Sequence, residues 1–211
     1  MNKPKYVIVV GVDYSTASER ALDEAFALAC TKHGVQLHIA NVRPAFGEQT
    51  IVNGVPVPAP PWQYWATELR EFVARQVAAF RASAGVAPFQ HLYTHQRMND
   101  PAHELAQLAA DVEADLLVVG AHDWQGGSGL ALGSVAEAVT RLAPCPVLVV
   151  RRKAVPPSVP AIQAPCAACV ATRSASNGSS LWCEKHGERH SHRHSQSPSV
   201  EATSESGARN G

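Results

Sequence analysis

The strongest constraint on this fold is a recurring alternation in which short apolar runs are each followed by a segment of helical period. Tyr6-Val-Ile-Val-Val10 is apolar throughout, the pattern of a strand covered on both faces. Thr16-x-x-Glu19 predicts a capping box. Ala21, Leu22, Ala25, Leu28 and Ala29 then recur at helical spacing up to Gly34. Val35, Leu37 and Ile39 alternate, predicting a strand that ends near Val42, and a Pro-rich loop runs from Pro44 to Pro61. Trp65, Leu69, Phe72, Val73, Val77 and Phe80 share the face of a helix closed by Gly85, and Phe89 to His95 reads as a third strand. Asp100-Pro101 opens another helix, with an N-cap residue followed by proline at the first helical position. Leu116 to Val119 and Val147 to Val150 complete five strands; between them Ser134-Val-Ala-Glu137 predicts a capping box for a helix that stops before Pro144. Strands alternating with helices imply crossover connections and a parallel sheet, hence an α/β fold. In such sheets ligands sit at the carboxyl ends of strands. That singles out Gly11-Val12-Asp13, Asn41-Val42 and Gly120-Ala121-His122.

The chain changes character near residue 152. Residues 1–151 carry 11 Lys and Arg against 14 Asp and Glu, whereas residues 152–211 carry 7 against 4. The second stretch has six Leu, Ile, Val or Phe among 60 residues, too few to offset its ordering entropy with a core of its own. The organisation expected is a folded domain over 1–152, a Pro-rich linker over 153–165, a Cys/His segment over 166–194 and a disordered tail over 195–211. With 18 basic and 18 acidic residues, the formal net charge of zero argues against a protein built to coat nucleic acid. No apolar run is long enough to span a membrane, and the first residues do not read as a signal peptide, so a cytoplasmic location is expected.

The segment from Gly120 to Ser134 joins a strand to a helix and carries five glycines. Glycine lets backbone N–H groups approach an anion, and Gly133-Ser134 stands where a helix N-terminus favours negative charge. The same residues also suit a plain helix cap preceded by turn glycines. No nucleophile with a base at recognisable spacing is present, so no catalytic residue is expected.

Val9-Val-Gly-Val-Asp13, Asp115-Leu-Leu-Val-Val-Gly120, Leu132-Gly-Ser-Val-Ala-Glu137 and Ala143-Pro-Cys-Pro-Val-Leu-Val-Val150 occur in this order. Together they resemble the universal stress protein family over about residues 4 to 152. The resemblance implies a five-stranded parallel sheet flanked by helices, a Rossmann-like sandwich of the adenine-nucleotide α-hydrolase type, and a homodimer paired through the last strand, Val147 to Val150. Family members that bind ATP show Gly-x2-Gly-x9-Gly-Ser/Thr; here Gly120 and Gly133-Ser134 match, and Asp123 replaces the second glycine. The resemblance puts Asp13 near the phosphates or their magnesium, the Val42 backbone at adenine, and Val119, Gly120, Gly133, Ser134 and Val135 around the rest of ATP. Asn99-Asp100-Pro101 stands where the family has Gly-Asp-Pro, which suits a positive φ at Asn99. Asp123 would set a charge against the polyphosphate, at roughly 1–3 kcal/mol per charge pair unless magnesium takes it as a ligand. That favours a second reading, a dimeric scaffold without nucleotide whose tail recruits a partner.

Cys166-Ala-Ala-Cys169 is followed after 13 residues by Cys183-Glu-Lys-His186. Three thiolates and an imidazole at this spacing match a closed structural zinc site, which would order a segment poor in core residues, with Leu181-Trp182 as its plug. Free thiols or a redox pair at Cys166 and Cys169 are the alternatives. His190-Ser-His-Arg-His194 reads equally as a solvated cluster or a weak metal binder. Cys30 and Cys145 read as small buried apolar residues, Trp62 and Trp65 as core or dimer contacts, and His122 as an exposed loop residue.

Overall fold

A computed structural model describes residues 6–43, 49–52, 55–58, 62–85, 91–121, 133–152 and 166–191. The chain forms two compact units, Met1–Val159 and Pro160–Gly211. In the first, the elements run β1 (Tyr6–Val12), α1 (Thr16–Cys30), β2 (Val35–Arg43), β3 (Gln49–Val52), β4 (Val55–Pro58), α2 (Trp62–Ala84), β5 (His91–Met98), α3 (Pro101–Asp111), β6 (Leu116–Gly120), α4 (Ser134–Leu142) and β7 (Val147–Val150). Five strands make one parallel sheet in the order β5-β2-β1-β6-β7. The chain winds outward from β1 through β2 to β5, then returns to the other side of β1 for β6 and β7. This reversal creates a switch point at the carboxyl ends of the central strands.

Both faces of the sheet are covered, as the apolar runs require. On one face Ile8, Val10, Leu37, Ile39 and Val118 pack against Leu22 and Phe26 of α1 and Leu69 and Phe72 of α2. On the other, Val9, Ala40, Leu117 and Val119 pack against Leu105 and Leu108 of α3 and Val139 of α4. Register at the start of β6 is pinned by Asp115, whose carboxylate accepts the Val7 N–H at 2.7 Å while its own N–H donates to the Val7 carbonyl.

The structure corrects several local readings. The cap of α1 is Ser15, not Thr16: its hydroxyl accepts the Ser18 N–H, and Glu19 instead meets Gln76. The cap of α4 is Gly133, with no side-chain bond; Ser134 is the first helical residue and Glu137 pairs with Arg141, so the predicted capping box does not form. The Pro-rich segment contains an antiparallel hairpin, β3 with β4. The third strand of the sheet runs on to Met98, and Phe89 lies outside the described residues. Cys30 is exposed at the end of α1 and so is not a core residue, whereas Cys145 is half-buried and packs against the core beneath α3 and α4. Trp65 is buried, whereas Trp62 is 43% exposed. Asp100 caps α3 as expected, accepting the His103 N–H at 2.8 Å, and Asn99 adopts φ +108°.

The second unit contains α5 (Ala167–Ala175) and α6 (Glu184–Ser191). Among its described residues the buried apolar one is Cys169, at 2% exposure. Trp182 is 37% exposed and Leu181 half-buried, so the centre of this unit is the cysteine rather than a Leu181-Trp182 plug. Residues 153–165 and 195–211, and His192 and His194, lie outside the described residues.

Candidate nucleotide cavity and metal cluster

At the switch point lies a cavity of about 420 Å³, within the ~300–1,000 Å³ usual for small-molecule sites. All seven residues singled out there line it: Asp13, Val42, Val119, Gly120, Gly133, Ser134 and Val135. Asp13 follows β1, Val42 is near the end of β2, Val119 and Gly120 end β6, and Gly133 to Val135 open α4. Because every helix on a parallel sheet starts at the carboxyl edge of the strands, the first turns of α1, α3 and α4 reach the same cavity through Ser18, Pro101 and Ser134. Their dipoles favour negative charge there; the N–H groups left without a side-chain cap are those of α4, since Ser15 and Asp100 take the Ser18 and His103 N–H groups and Pro101 has none.

The walls depend on missing side chains. A Cβ on Gly120 would overlap the Ala17 carbonyl and lie 2.9 Å from the Ser18 nitrogen, so the end of β6 packs directly on the backbone of α1. A Cβ on Gly11 would come 2.7 Å from a methyl of Leu105, which floors the cavity. Asp13 supplies the one titratable side chain of the described lining. Its carboxylate accepts the Ser15 hydroxyl at 2.5 Å and the Ser15 N–H at 3.1 Å, which ties it to the cap of α1. Tyr14, between them, takes φ +64° and sets its ring edge-on to Phe72 at 5.0 Å, on the opposite face of the sheet. Neighbouring Asn41 is buried, donating to the Val12 carbonyl and accepting from Gln96, which fixes the loop after β1 against β2. His122 and Asp123 lie outside the described residues.

Pro101 and Leu105 were not singled out by sequence. The sign was the Asp100-Pro101 helix start directly after a strand, which in a parallel sheet brings the first turn of the helix to the ligand edge.

In the second unit, Cys166, Cys169, Cys183 and His186 offer four ligand atoms that all lie within 4.8 Å of one another. The Cys169 and Cys183 sulfurs are 3.5 Å apart, and His186 Nδ1 is 3.2 Å from the first and 3.7 Å from the second. A tetrahedral zinc with Zn–S of ~2.3 Å and Zn–N of ~2.05 Å has edges of about 3.6–3.8 Å, so the donors stand close to the spacing such an ion needs. Both ligand pairs straddle a helix start: Cys166 caps α5, and Cys183 directly precedes α6. Backbone N–H groups of Cys169 and Ala168 hold the Cys166 thiol below its ordinary pKa. The Cys183 N–H points at the Cys169 sulfur at 3.4 Å. The N–H bonds at the start of α5 suit a thiolate at Cys166; at Cys169 the Cys183 N–H bond is outweighed by burial and the neighbouring Cys183 and Cys166 thiols, which push its pKa up.

The Universal stress protein family model matches residues 6–151. A universal stress protein of Mycolicibacterium smegmatis is 33% identical over 146 residues, covering 68% of this chain and 45% of that protein. Universal stress protein YxiE of Bacillus subtilis is 30% identical over 151 residues, covering 68% of this chain and 97% of that protein. A solved universal stress protein in complex with cAMP is 30% identical, covering 69% of this chain and 95% of that one, with a TM-score of 0.48. The chain thus spans about half the length of the M. smegmatis relative and nearly all of the B. subtilis one. No helix among the described residues is long and apolar enough to cross a membrane. With the family model covering the whole sheet and its helices, the chain belongs to the universal stress protein family.

Proposed function

We propose that the chain is a cytoplasmic, ATP-binding regulatory member of its family, with magnesium at Asp13 and a structural zinc in the second unit. The observation that carries the nucleotide reading is the convergence of three helix N-termini and two strand-end glycines on one cavity. A polyphosphate fits the α4 end, where Gly133, Ser134 and Val135 present backbone N–H groups, and the base fits the Val42, Pro101 and Leu105 side. Asp13, already oriented by Ser15, is the carboxylate available to a hard cation beside the phosphates. A lining with one titratable side chain supports binding rather than rapid turnover.

Zinc is supported by the donor set and by the scarcity of other core in the second unit. A homodimer is supported by β7, which is an edge of the sheet in the single chain and leaves unpaired backbone for a second copy.

The nucleotide reading is tested by melting the full chain with and without MgATP. Ligand at a hundred times Kd stabilises by about 2.7 kcal/mol, a shift of several degrees. Val135→Glu places a carboxylate at the phosphate end on an exposed first-turn position, where it does not disturb the fold. The variant should melt as the parent does without ligand and show no shift with MgATP. A parent chain that does not respond to MgATP would remove the proposal.

A further inference from the structure

We infer that Cys169 and Cys183 are a peroxide-oxidisable pair: hydrogen peroxide joins them in a disulfide and expels the metal from the second unit. The inference rests on the zinc reading above and adds to it how that site is regulated. Three observations carry it. The two sulfurs are 3.5 Å apart, although 14 positions separate them in the chain. The Cys183 N–H on the Cys169 sulfur holds the two residues against each other independently of any ion. Their exposure is unequal: Cys169 is 2% exposed, whereas Cys183, like Cys166, is half-buried and so within reach of a small oxidant.

This arrangement orders the chemistry. The Cys183 thiolate attacks peroxide, whose O–O bond breaks; one oxygen stays on sulfur as the sulfenic acid and the other leaves as hydroxide. The Cys169 thiolate, shielded from the oxidant but 3.5 Å from the new sulfenyl sulfur, displaces the second hydroxide and closes the S–S bond. Two thiolates have lost two electrons, peroxide has gained them, and the hydroxides are protonated to water. Only Cys166 and His186 remain as donors, too few for a closed tetrahedral site, and zinc departs. A dithiol reductant reverses the step by exchange. The disulfide keeps α5 and α6 joined, so the unit changes its metal content without losing its cross-link.

The test uses the full chain carrying zinc, treated with increasing hydrogen peroxide. Released zinc is read with a chromogenic chelator, and the cysteines are mapped by alkylation and peptide mass spectrometry. The expected result is zinc release in step with a Cys169–Cys183 linkage, reversed by dithiothreitol. Cys166→Ser should hold zinc more weakly yet still form the same linkage, and Cys183→Ser should form none. A Cys166–Cys169 linkage, oxidation of Cys183 to the sulfinic acid without a disulfide, or zinc retained with all thiols intact would each overturn the inference. A chain that takes up no zinc would sink the metal reading alone. The same mapping on that metal-free chain then decides the pair: the Cys169–Cys183 linkage supports it, and any other result refutes it.

Discussion

Lowering the pH from 7 to 4 should destabilise the first unit through the neighbouring histidines His38 and His95, His38 foremost. His38 lies on β2 at 6% exposure, opposite Tyr93 in the β5 register, with its ring stacked on Tyr93 at 5.0 Å. Its Nδ1 is 2.9 Å from Nε2 of His95, and its own Nε2 is buried without a hydrogen-bond partner. Burial, and then the neighbouring His95, push its pKa down from 6.5 to about 4; His95 is lowered as well, by burial and then by Arg97. The folded state therefore resists a proton that the unfolded chain accepts. Stability is full above about pH 6.5, falls as the pH drops towards 4, and levels off below. At ~1.4 kcal/mol per pKa unit the drop is at most about 3.5 kcal/mol, and solvent reaching His38 past the edge strand β5 reduces it to about 2. Urea unfolding followed by circular dichroism at several pH values measures it, with His38→Leu as the comparison. The variant is less stable at pH 7, because it loses the stack and the His95 contact, but its stability should fall less steeply between pH 6.5 and 4. Carboxylates and zinc loss act on both proteins alike and cancel in the difference. Parallel curves for the two proteins, or an NMR titration midpoint for His38 near 6.5, would refute the reasoning.

Gly120→Ala should cost about 1–3 kcal/mol in a thermal melt, because its new methyl meets α1 backbone, whereas Gly11→Ala meets a Leu105 methyl that can turn aside and should cost less. Removing zinc with a strong chelator should reduce helical signal from the second unit while the melting of the first stays unchanged, read by circular dichroism on the full chain. Asp123→Gly restores the second glycine of the ATP-binding motif and should tighten MgATP about tenfold to a hundredfold by calorimetry; unchanged affinity would dismiss the charge argument.

What was legible in the sequence was whatever local chemistry decides. Tyr6–Val12 and Leu116–Gly120 are apolar because both faces of the sheet are covered, and Asp100-Pro101 states its own cap and first turn. Gly85 ends α2 with φ +76°, the conformation its side chain's absence permits. The β3–β4 hairpin escaped notice because Pro56 and Pro58 read as strand breakers, although an isolated two-stranded ribbon has outer edges that tolerate proline. The cap of α1 is Ser15 rather than Thr16 because neighbouring hydroxyls offer equivalent cap chemistry, whereas that of α4 falls on Gly133, which has no side chain to announce it. The seven cavity residues were legible through family motifs, whereas Leu105 reads only as an apolar helix position: its spacing shows that it is buried, not what it faces. The His38–His95 contact joins positions 57 apart, which the sequence does not connect.

The cavity at the carboxyl edge of the sheet is the proposed nucleotide site. Isothermal calorimetry of the zinc-loaded chain with MgATP, at two temperatures, tests it most directly. Saturable binding in the micromolar range by the parent chain, lost in Val135→Glu, is the expected result. No heat at either temperature, or equal binding by parent and variant, would contradict it.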